Sequence, residues 1–195
     1  MAGVAYLKAF QTMAALLANM ITFFSFEKEG CFLEDKLVDK IAINATKTIQ
    51  TRLVLPPDTN HLGTIFGGKV LAYIDEIAAL TAMKHSNSYV VTASIDSVDF
   101  LSPAKAGDSL TLESYVTYTG TSSMEVYVRV TAMDLIKHEE KLTTESFLTM
   151  VAVDQEGKPI PVPGVYPESE EERQLYETGP FRKEHRQNRV ALRKK

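Results

Sequence analysis

Apolar and polar side chains alternate along several segments of the chain that follow residue 46. In "MEVYVRV" (124–130) Met124, Val126, Val128 and Val130 alternate with Glu125, Tyr127 and Arg129. A period of two is typical of a β-strand with one buried face. This alternation, together with extended apolar composition, predicts strands over residues 46–55, 89–101, 109–119, 123–135 and 142–154.

A different period separates the first predicted strand from the other four. Pro56 and Pro57 end the first strand, because proline cannot donate to a sheet ladder. The segment "DTNHLGTIFGG" (58–68) reads as a loop, and apolar residues then recur at helical spacing from about 69 to 84. They are Val70, Ile74, Ile77 or Ala78, and Thr81. The order of elements is therefore one strand, one helix and then four strands, without βαβ alternation. This order predicts an α+β domain with an antiparallel sheet.

Composition narrows the possible functions. The chain has 195 residues, 45% of them hydrophobic, which suits one domain with a sizeable core. A net charge of −4 argues against a general nucleic-acid binder but leaves room for a local basic patch. Cys31 is the only cysteine, so we expect no disulfide framework, no thiolate metal cluster and a reducing compartment. No pair of histidines has the spacing of a helical metal site.

The two ends of the chain differ from its middle. Residues 9–26 carry no charge, which suits the core of a signal peptide or a marginal membrane span. The alternative is a disordered extension, with the natural start of the protein near Met20 or later. Residues 168–195 are highly charged, with acids first and bases last, as the dipole of a helix favours. We expect Gly179 and Pro180 to interrupt that helix. The tail is either a solvated terminal helix or a basic segment that contacts a phosphorylated ligand.

Asp75 is the residue that most needs an explanation. Projected on a helix, it falls on one stripe with Ala72, Ala79 and Ala82. Small neighbours let another group approach closely, and a carboxylate on a shielded face is costly unless it is hydrogen-bonded or faces a wet cleft. Asp75 is therefore a candidate general base or nucleophile. The alternative is an ordinary surface aspartate beside Glu76.

Four further residues near the start of the helix are candidates. Gly67 and Gly68 lie where backbone N–H groups are unpaired, so they predict an oxyanion hole, unless they form a simple tight turn. Asn60 offers a neutral donor and acceptor in the same loop. His61 beside it could act as a base or be a loop residue. No serine or cysteine stands in a G-x-S-x-G setting, so a serine-hydrolase triad has no anchor.

Three segments together resemble a known family. The segments are "PPDTNHLGTIFGGKVLAYIDEIAA", "VVTASIDSVDFLSPAKAGD" and "TGTSSMEVYV". Together they are similar to the hotdog-fold acyl-CoA thioesterases, above all to bacterial acyl-CoA hydrolases related to the brain-type cytosolic enzyme. The resemblance implies an antiparallel five- or six-stranded sheet wrapped around one long central helix. It also implies cytoplasmic hydrolysis of acyl-CoA to fatty acid and CoA, with no cofactor. It divides the chain into an extension (1–45), the hotdog domain (46–165) and a charged helical tail (166–195).

The resemblance also assigns residues and an assembly. It implies that Asn60 and Asp75 are the catalytic pair, contributed by different subunits of a homodimer with a continuous sheet, and that dimers assemble into a hexamer as a trimer of dimers. Asp75 would act as base or nucleophile, and Asn60 would orient the water or the carbonyl. Candidates for CoA binding are Thr121, Ser122 and Ser123, unless they form an ordinary hairpin turn, together with Lys105, Arg182 and Arg186.

Two other functions fit the same fold. A hotdog hydratase or dehydratase pairs a histidine with an acid, but no histidine lies on the helix before Asp75. An acyl-CoA-binding regulator without catalysis would not need Asn60 or Asp75, and it would usually carry a DNA-binding segment. The N-terminal extension shows no basic recognition helix. Both alternatives therefore rank below a thioesterase.

Overall fold

A five-stranded antiparallel sheet forms the body of the protein, whose computed structural model describes residues 40–192. The strands stand in the order β2-β4-β5-β6-β3. Their bounds are β2 Thr48–Leu53, β3 Tyr89–Phe100, β4 Ser109–Thr119, β5 Ser123–Asp134 and β6 Glu139–Val153. Two short strands, β1 (Ile41–Ala42) and β7 (Val165–Tyr166), pair in parallel beside it. Short 3₁₀ turns cover Ile43–Thr46 and Pro56–Asp58.

The long helix α1, Gly67–Ser86, packs against one face of this sheet. Its buried residues recur at helical spacing, so a single stripe of the helix faces the strands. The buried residues are Val70, Ile74, Ile77, Ala78, Thr81, Ala82 and His85. The helix ends at Asn87, which takes the left-handed conformation (φ 49°) and donates its N–H to the carbonyl of Met83. The predicted helix, its apolar stripe and the antiparallel α+β hotdog fold are confirmed.

A second helix, α2 (Glu170–Leu192), lies on the opposite face of the sheet. On β5, Val126 and Val128 belong to the core beneath α1, whereas Glu125 and Arg129 on the alternate face bond to side chains of α2. Because helices cover both faces, β4 and β5 are buried along most of their length.

The expected interruption of α2 at Gly179 and Pro180 is wrong. The helix runs through Pro180, although proline inside a helix removes one backbone hydrogen bond. Gly179 is buried, and a Cβ there would come within 2.7 Å of the Tyr118 ring, so glycine lets the helix lie close to β4. The Arg182 side chain also donates to the carbonyl of Leu175, within the turn that the proline weakens. Packing against the sheet therefore outweighs the local preference to break.

Strand β3 forms an edge of the sheet. Among the described residues it pairs only with β6, so one side of its backbone has no strand neighbour. Large apolar side chains on it are exposed, including Val91 (50%) and Ile95 (41%). An edge of this kind is a template for pairing with another strand.

The prediction for residues 9–26 lies outside the described residues. Between residues 40 and 192, none of the helices has the length and apolar content that crossing a membrane requires.

Candidate functional site

The carboxylate of Asp75 is held in place by a residue of the edge strand. Asp75 lies in the third turn of α1, and its Oδ1 accepts a hydrogen bond of 2.7 Å from the hydroxyl of Thr92 on β3. The Asp75 side chain is half-buried, and the neighbouring Glu76 is exposed and bonds instead to Arg52. The helix therefore directs two adjacent acids differently, one toward the edge strand and one toward β2.

The loop that precedes α1 fixes the orientation of Asn60. Its Oδ1 accepts the N–H groups of Leu62 (2.9 Å) and Thr64 (3.3 Å), and its Nδ2 donates to Thr64 Oγ1 (3.0 Å). An amide nitrogen carries two hydrogens, so the second one stays available to a ligand. His61, next to it, is exposed.

The first turn of α1 presents unused hydrogen-bond donors. Gly67 and Gly68 are its first two residues, no side chain caps it, and their N–H groups donate to no acceptor within residues 40–192. A Cβ on Gly68 would meet no atom within 4 Å, so packing inside the subunit does not require glycine there. Lys69 follows, and its hydrogen bond to Asp58 raises the pKa of the Lys69 amine. The ion pair with Asp58 offsets the charge of Lys69, so the unpaired N–H groups are what make the start of the helix electropositive.

A mainly apolar cleft opens beside this turn. Its volume is about 320 Å³, and its wall includes Ile65, Gly67, Val70, Phe100 and Thr143. The cleft is thus continuous with the glycine that begins α1. Its apolar lining suits a hydrocarbon chain more than a charged group.

Within one subunit the predicted oxyanion hole and the predicted carboxylate are not close together. Gly67 precedes Asp75 by eight residues, and a helix rises about 1.5 Å per residue, so the two are separated by roughly 12 Å along α1. A thioester carbonyl bound at Gly67 or Gly68 is therefore out of reach of Asp75 of the same subunit. The acid and the oxyanion hole can meet only if a second subunit contributes one of them.

The six residues predicted to bind CoA fall into separate places. Thr121, Ser122 and Ser123 form the turn between β4 and β5, whereas Lys105 precedes the opposite end of β4. That strand has 11 residues, so roughly 33 Å separate its ends. Lys105 and the turn therefore do not share a site within one subunit.

Both arginines of that set are engaged in ion pairs. Arg182 donates to both carboxylate oxygens of Glu125, at 2.9 and 2.7 Å, and lies over the Phe147 ring. Arg186 bonds to Thr149 and Asp96. Their predicted role in binding phosphate stays a prediction, and it would require them to leave or share these partners.

Three residues that the sequence analysis overlooked lie near these groups. Thr92 binds Asp75, and a single threonine in a strand carries no distinguishing signal. Lys183 reaches the β4–β5 turn, where its Nζ lies 3.5 Å from the position of a Cβ on Gly120. Arg189 pairs with Asp96. The spacing of Arg182, Arg186 and Arg189 by four and three residues would have placed all three on one face of a helix.

Comparison with known proteins gives this arrangement a context. The sequence model of the thioesterase superfamily matches residues 62–136. The chain is 52% identical over 144 residues to the uncharacterized acyl-CoA thioester hydrolase YkhA of Bacillus subtilis (strain 168), covering 74% of this chain and 84% of that protein. It is 36% identical over 129 residues (65% of this chain) to the cytosolic acyl coenzyme A thioester hydrolase of Rattus norvegicus, of which it spans 34%.

Solved structures share the fold. A hexameric acyl-CoA thioesterase solved without ligand is 70% identical, with a TM-score of 0.77 over 79% of this chain and 99% of that one. An acyl-CoA hydrolase of Staphylococcus aureus, solved with butyryl coenzyme A, coenzyme A and coenzyme A disulfide, is 50% identical, with a TM-score of 0.76 over 80% of this chain and 94% of that one.

The Staphylococcus aureus hydrolase has also been solved as three alanine variants, which replace an asparagine, an aspartate and a threonine. In that enzyme the asparagine and the aspartate are 15 residues apart, and the aspartate and the threonine 17. Asn60, Asp75 and Thr92 have the same two spacings. The hydrogen bond between Asp75 and Thr92 thus joins two residues that correspond in spacing to replaced residues of that enzyme.

Proposed function

The chain belongs to the hotdog-fold acyl-CoA thioester hydrolases and is an enzyme of that kind, and we propose that it hydrolyses fatty acyl-CoA with Asp75, Thr92, Asn60 and the first turn of α1. The observation that carries this proposal is the placement of Asp75: a half-buried carboxylate, held by Thr92, that faces the edge strand of the sheet. The matching spacings in the Staphylococcus aureus hydrolase support the same residues.

Each active site is shared between two subunits. The roughly 12 Å between Gly67 and Asp75 along α1 prevents one subunit from supplying both. Strand β3 offers an unpaired edge with exposed apolar side chains, and antiparallel pairing of two copies of this edge would give a continuous sheet and a two-fold symmetric dimer. Asp75 then acts on a thioester bound by Asn60 and Gly68 of the partner subunit.

The first chemical step places negative charge on the carbonyl oxygen of the thioester. The N–H groups of Gly67 and Gly68 donate to this oxygen, and a donor of that kind is typically worth about 3–4 kcal/mol in the transition state. The free N–H of the Asn60 amide orients either the carbonyl or the attacking water.

Asp75 acts in one of two ways. As a general base, it takes a proton from water while the water oxygen attacks the carbonyl carbon. As a nucleophile, its own oxygen attacks and forms a mixed anhydride, which water then hydrolyses. In both routes the carbon–sulfur bond breaks, the electron pair leaves with the CoA thiolate, and the acyl group departs as a carboxylic acid. A thiolate is a good leaving group, so no strong general acid is needed.

The apolar cleft beside Gly67 takes the first carbons of the acyl chain. It adjoins the oxyanion hole, and its wall contains Ile65, Val70 and Phe100. The CoA phosphates lie near the turn formed by Thr121, Ser122 and Ser123. We add Lys183 to that group because its amine reaches the turn, whereas the guanidinium groups of Arg182 and Arg186 already bind carboxylates. Lys105 could join the site only from another subunit.

We also propose a hexamer, built as a trimer of dimers, and a cytoplasmic location. A 70% identical relative is described as a hexameric acyl-CoA thioesterase, and the Rattus norvegicus relative is described as cytosolic. Both statements describe those proteins and support the proposal for this one.

The experiment that tests the function is thiol release from palmitoyl-CoA and from shorter acyl-CoA thioesters. Asp75→Asn and Asn60→Ala should lower kcat by two or more orders of magnitude, with circular dichroism unchanged. The matched control is Glu76→Gln, which removes the adjacent charge on the same helix and should retain wild-type kcat. Normal turnover by both Asp75→Asn and Asn60→Ala would overturn the assignment. Binding of acyl-CoA without thiol release by the wild-type protein would indicate the non-catalytic alternative.

A further inference from the structure

Strand β3 contains two β-bulges directly after Thr92. The pairing with β6 runs from Thr92, opposite Met150, to Ser94, opposite Thr149, so Ala93 has no partner of its own. A second shift leaves Asp96 unpaired between Ile95 and Ser97. Each bulge adds a residue to one side of the pair, which re-aims the side chains that follow and precede it. The direction of Thr92 toward Asp75 therefore depends on how this stretch of β3 is held.

The outer side of the bulges is held by α2. Arg189 donates to Asp96 Oδ1 (2.7 Å), to the carbonyl of Asp96 (3.2 Å) and to Ser94 Oγ (2.9 Å). Arg186 donates to Thr149 Oγ1 and lies 3.5 Å from Asp96 Oδ2. The hydroxyls of Ser94 and Thr149 donate to the two oxygens of Asp96, at 2.7 and 2.6 Å. We call this group, Asp96 with Ser94, Thr149, Arg186 and Arg189, the bulge clamp.

The carboxylate at the centre of the bulge clamp is shielded from solvent, whereas the side chain of Arg189 is 33% exposed. The Asp96 side chain is 15% exposed, and that of Arg186 is 17% exposed. Burial by itself raises the pKa of Asp96, but hydrogen bonds from Thr149 and Ser94 and the charges of the two arginines outweigh it, so the pKa lies below its ordinary value. An ionised acid with four donors is a rigid anchor, because losing any donor leaves part of a shielded charge unsatisfied.

We propose that Asp96, Arg189 and Arg186 are positioning residues that set the direction of Thr92 and, through it, of the Asp75 carboxylate. None of the three needs to touch the substrate for this role. The proposal rests on the proposed function, since it matters for turnover only if Asp75 reacts. It assigns a task to α2: the last turns of the C-terminal helix fix an edge strand that lacks a second strand neighbour among residues 40–192.

The geometry explains why an arginine is used at position 189. Its planar guanidinium contacts a carboxylate oxygen, a backbone carbonyl and a hydroxyl, all from the two bulges. A lysine has a single ammonium group and cannot span these three acceptors in the same fixed arrangement. The bond to the carbonyl of Asp96 is the one that acts on the backbone itself.

The test compares kcat and KM for thiol release by the wild-type enzyme, Asp96→Asn and Arg189→Lys. We expect kcat to fall roughly tenfold in both variants, because misplacement of a reacting group by about 1 Å can cost up to a hundredfold. KM should change by less than about twofold, because no contact with substrate is lost. The matched control is Glu171→Gln, which removes a different ion pair between α2 and the sheet, with Arg129 of β5. It should retain wild-type kcat.

A double-mutant cycle identifies the route of the effect. If the bulge clamp acts through Thr92, then Asp96→Asn should lower kcat little further in a Thr92→Val background. Multiplicative losses would overturn the proposal, and so would wild-type kcat in Asp96→Asn and Arg189→Lys. An equal loss in Glu171→Gln would show a general effect of helix docking and would also overturn it. The variant Asp75→Asn tells the two proposals apart. If Asp75→Asn is fully active, the proposed function is wrong. If Asp75→Asn is inactive but Asp96→Asn has wild-type activity, only the role of the bulge clamp is wrong.

Discussion

The hydroxyl of Thr92 donates a 2.7 Å hydrogen bond to the Oδ1 of Asp75, and this bond joins the edge strand β3 to the middle of helix α1. Thr92 is the one described residue whose side chain bonds to that carboxylate. The orientation of the acid that we propose to be catalytic therefore depends on a strand that is itself at the edge of the sheet.

Thr92→Val should keep the shape of the side chain and remove the hydrogen bond. A hydrogen bond to a charged group contributes about 1.5–3 kcal/mol, so kcat should fall by roughly ten- to a hundredfold if the bond serves mainly to orient Asp75. Thr92→Ser retains the hydroxyl and is the matched control, with kcat close to that of the wild type. Steady-state thiol release measures both variants. Wild-type kcat in Thr92→Val would show that Asp75 needs no such support.

Gly68→Ala should separate stability from activity. A Cβ at Gly68 meets no atom within 4 Å, and alanine favours a helix over glycine by up to about 1 kcal/mol, so the variant should unfold at a higher temperature. The methyl group would project toward the start of the helix, over the N–H groups that we propose to bind the carbonyl oxygen, and kcat/KM should fall. Gly67→Ala makes the contrast, because its Cβ would lie 3.3 Å from the Phe100 ring and should give no such gain in stability. Unchanged kcat/KM in Gly68→Ala would count against the oxyanion hole.

His85 should make the fold sensitive to acid. Burial lowers the pKa of His85, and its Nε2 donates to the carbonyl of Pro163 while Nδ1 finds no partner among residues 40–192. The imidazole of His85 therefore takes up the proton that charges it less readily in the folded state than in the unfolded state. The contribution of neutral His85 to the free energy of unfolding is intact above about pH 6.5, and it is lost as the pH falls toward the lowered pKa of the folded state. Urea unfolding at pH 7.5 and 5.5, at one protein concentration, measures the loss.

The variant His85→Gln should reduce that loss between pH 7.5 and 5.5, because glutamine can donate to the same carbonyl and does not titrate. His185→Gln, which replaces an exposed histidine of α2, is the control and should leave the loss unaltered. An identical pH dependence in His85→Gln and the wild type would contradict this account.

Thr144→Val should stabilise the protein. Thr144 is fully buried on β6, and its hydroxyl has no hydrogen-bond partner among the described residues. An unsatisfied buried hydroxyl costs about 1–3 kcal/mol, so a side chain of the same shape without it should raise the free energy of unfolding by about 1 kcal/mol. Thr149→Val is the matched control on the same strand, because its hydroxyl bonds to Asp96 and Arg186, and it should lose stability. Denaturant unfolding distinguishes the two, and a loss in Thr144→Val would contradict the assignment.

The sequence predicted those features that depend on local pattern. Alternation located the strands, and the apolar period located α1, which begins at Gly67 rather than near residue 69 because the two glycines already have helical geometry. The motif around Asn60 and Asp75 indicated the family and the candidate catalytic pair. These signals are strong because each arises from neighbouring residues whose spacing the chain itself fixes.

The features that the sequence did not predict depend on tertiary packing. Nothing local shows that Thr92 faces Asp75, because the two bulges that follow Thr92 shift the alternation of β3. The interruption expected at Pro180 neglected the fit of Gly179 against Tyr118. Arg182 and Arg186, which the sequence offers as phosphate ligands, form ion pairs with Glu125 and Asp96, and those partners depend on where α2 docks.

The measurement that tests the shared active site most directly uses mixed dimers. Asn60→Ala and Asp75→Asn subunits, each nearly inactive alone, are co-expressed with different affinity tags, and the doubly tagged assembly is purified. A dimer with one subunit of each kind has one site with both residues intact and one site with neither. Random pairing of equal amounts of the two subunits makes about half of the dimers mixed, so we expect the purified assembly to release thiol at roughly a quarter of the wild-type rate per subunit. If the mixed dimers stay as inactive as the two parent variants, Asn60 and Asp75 do not act together across the subunits, and the account of the active site given above is wrong.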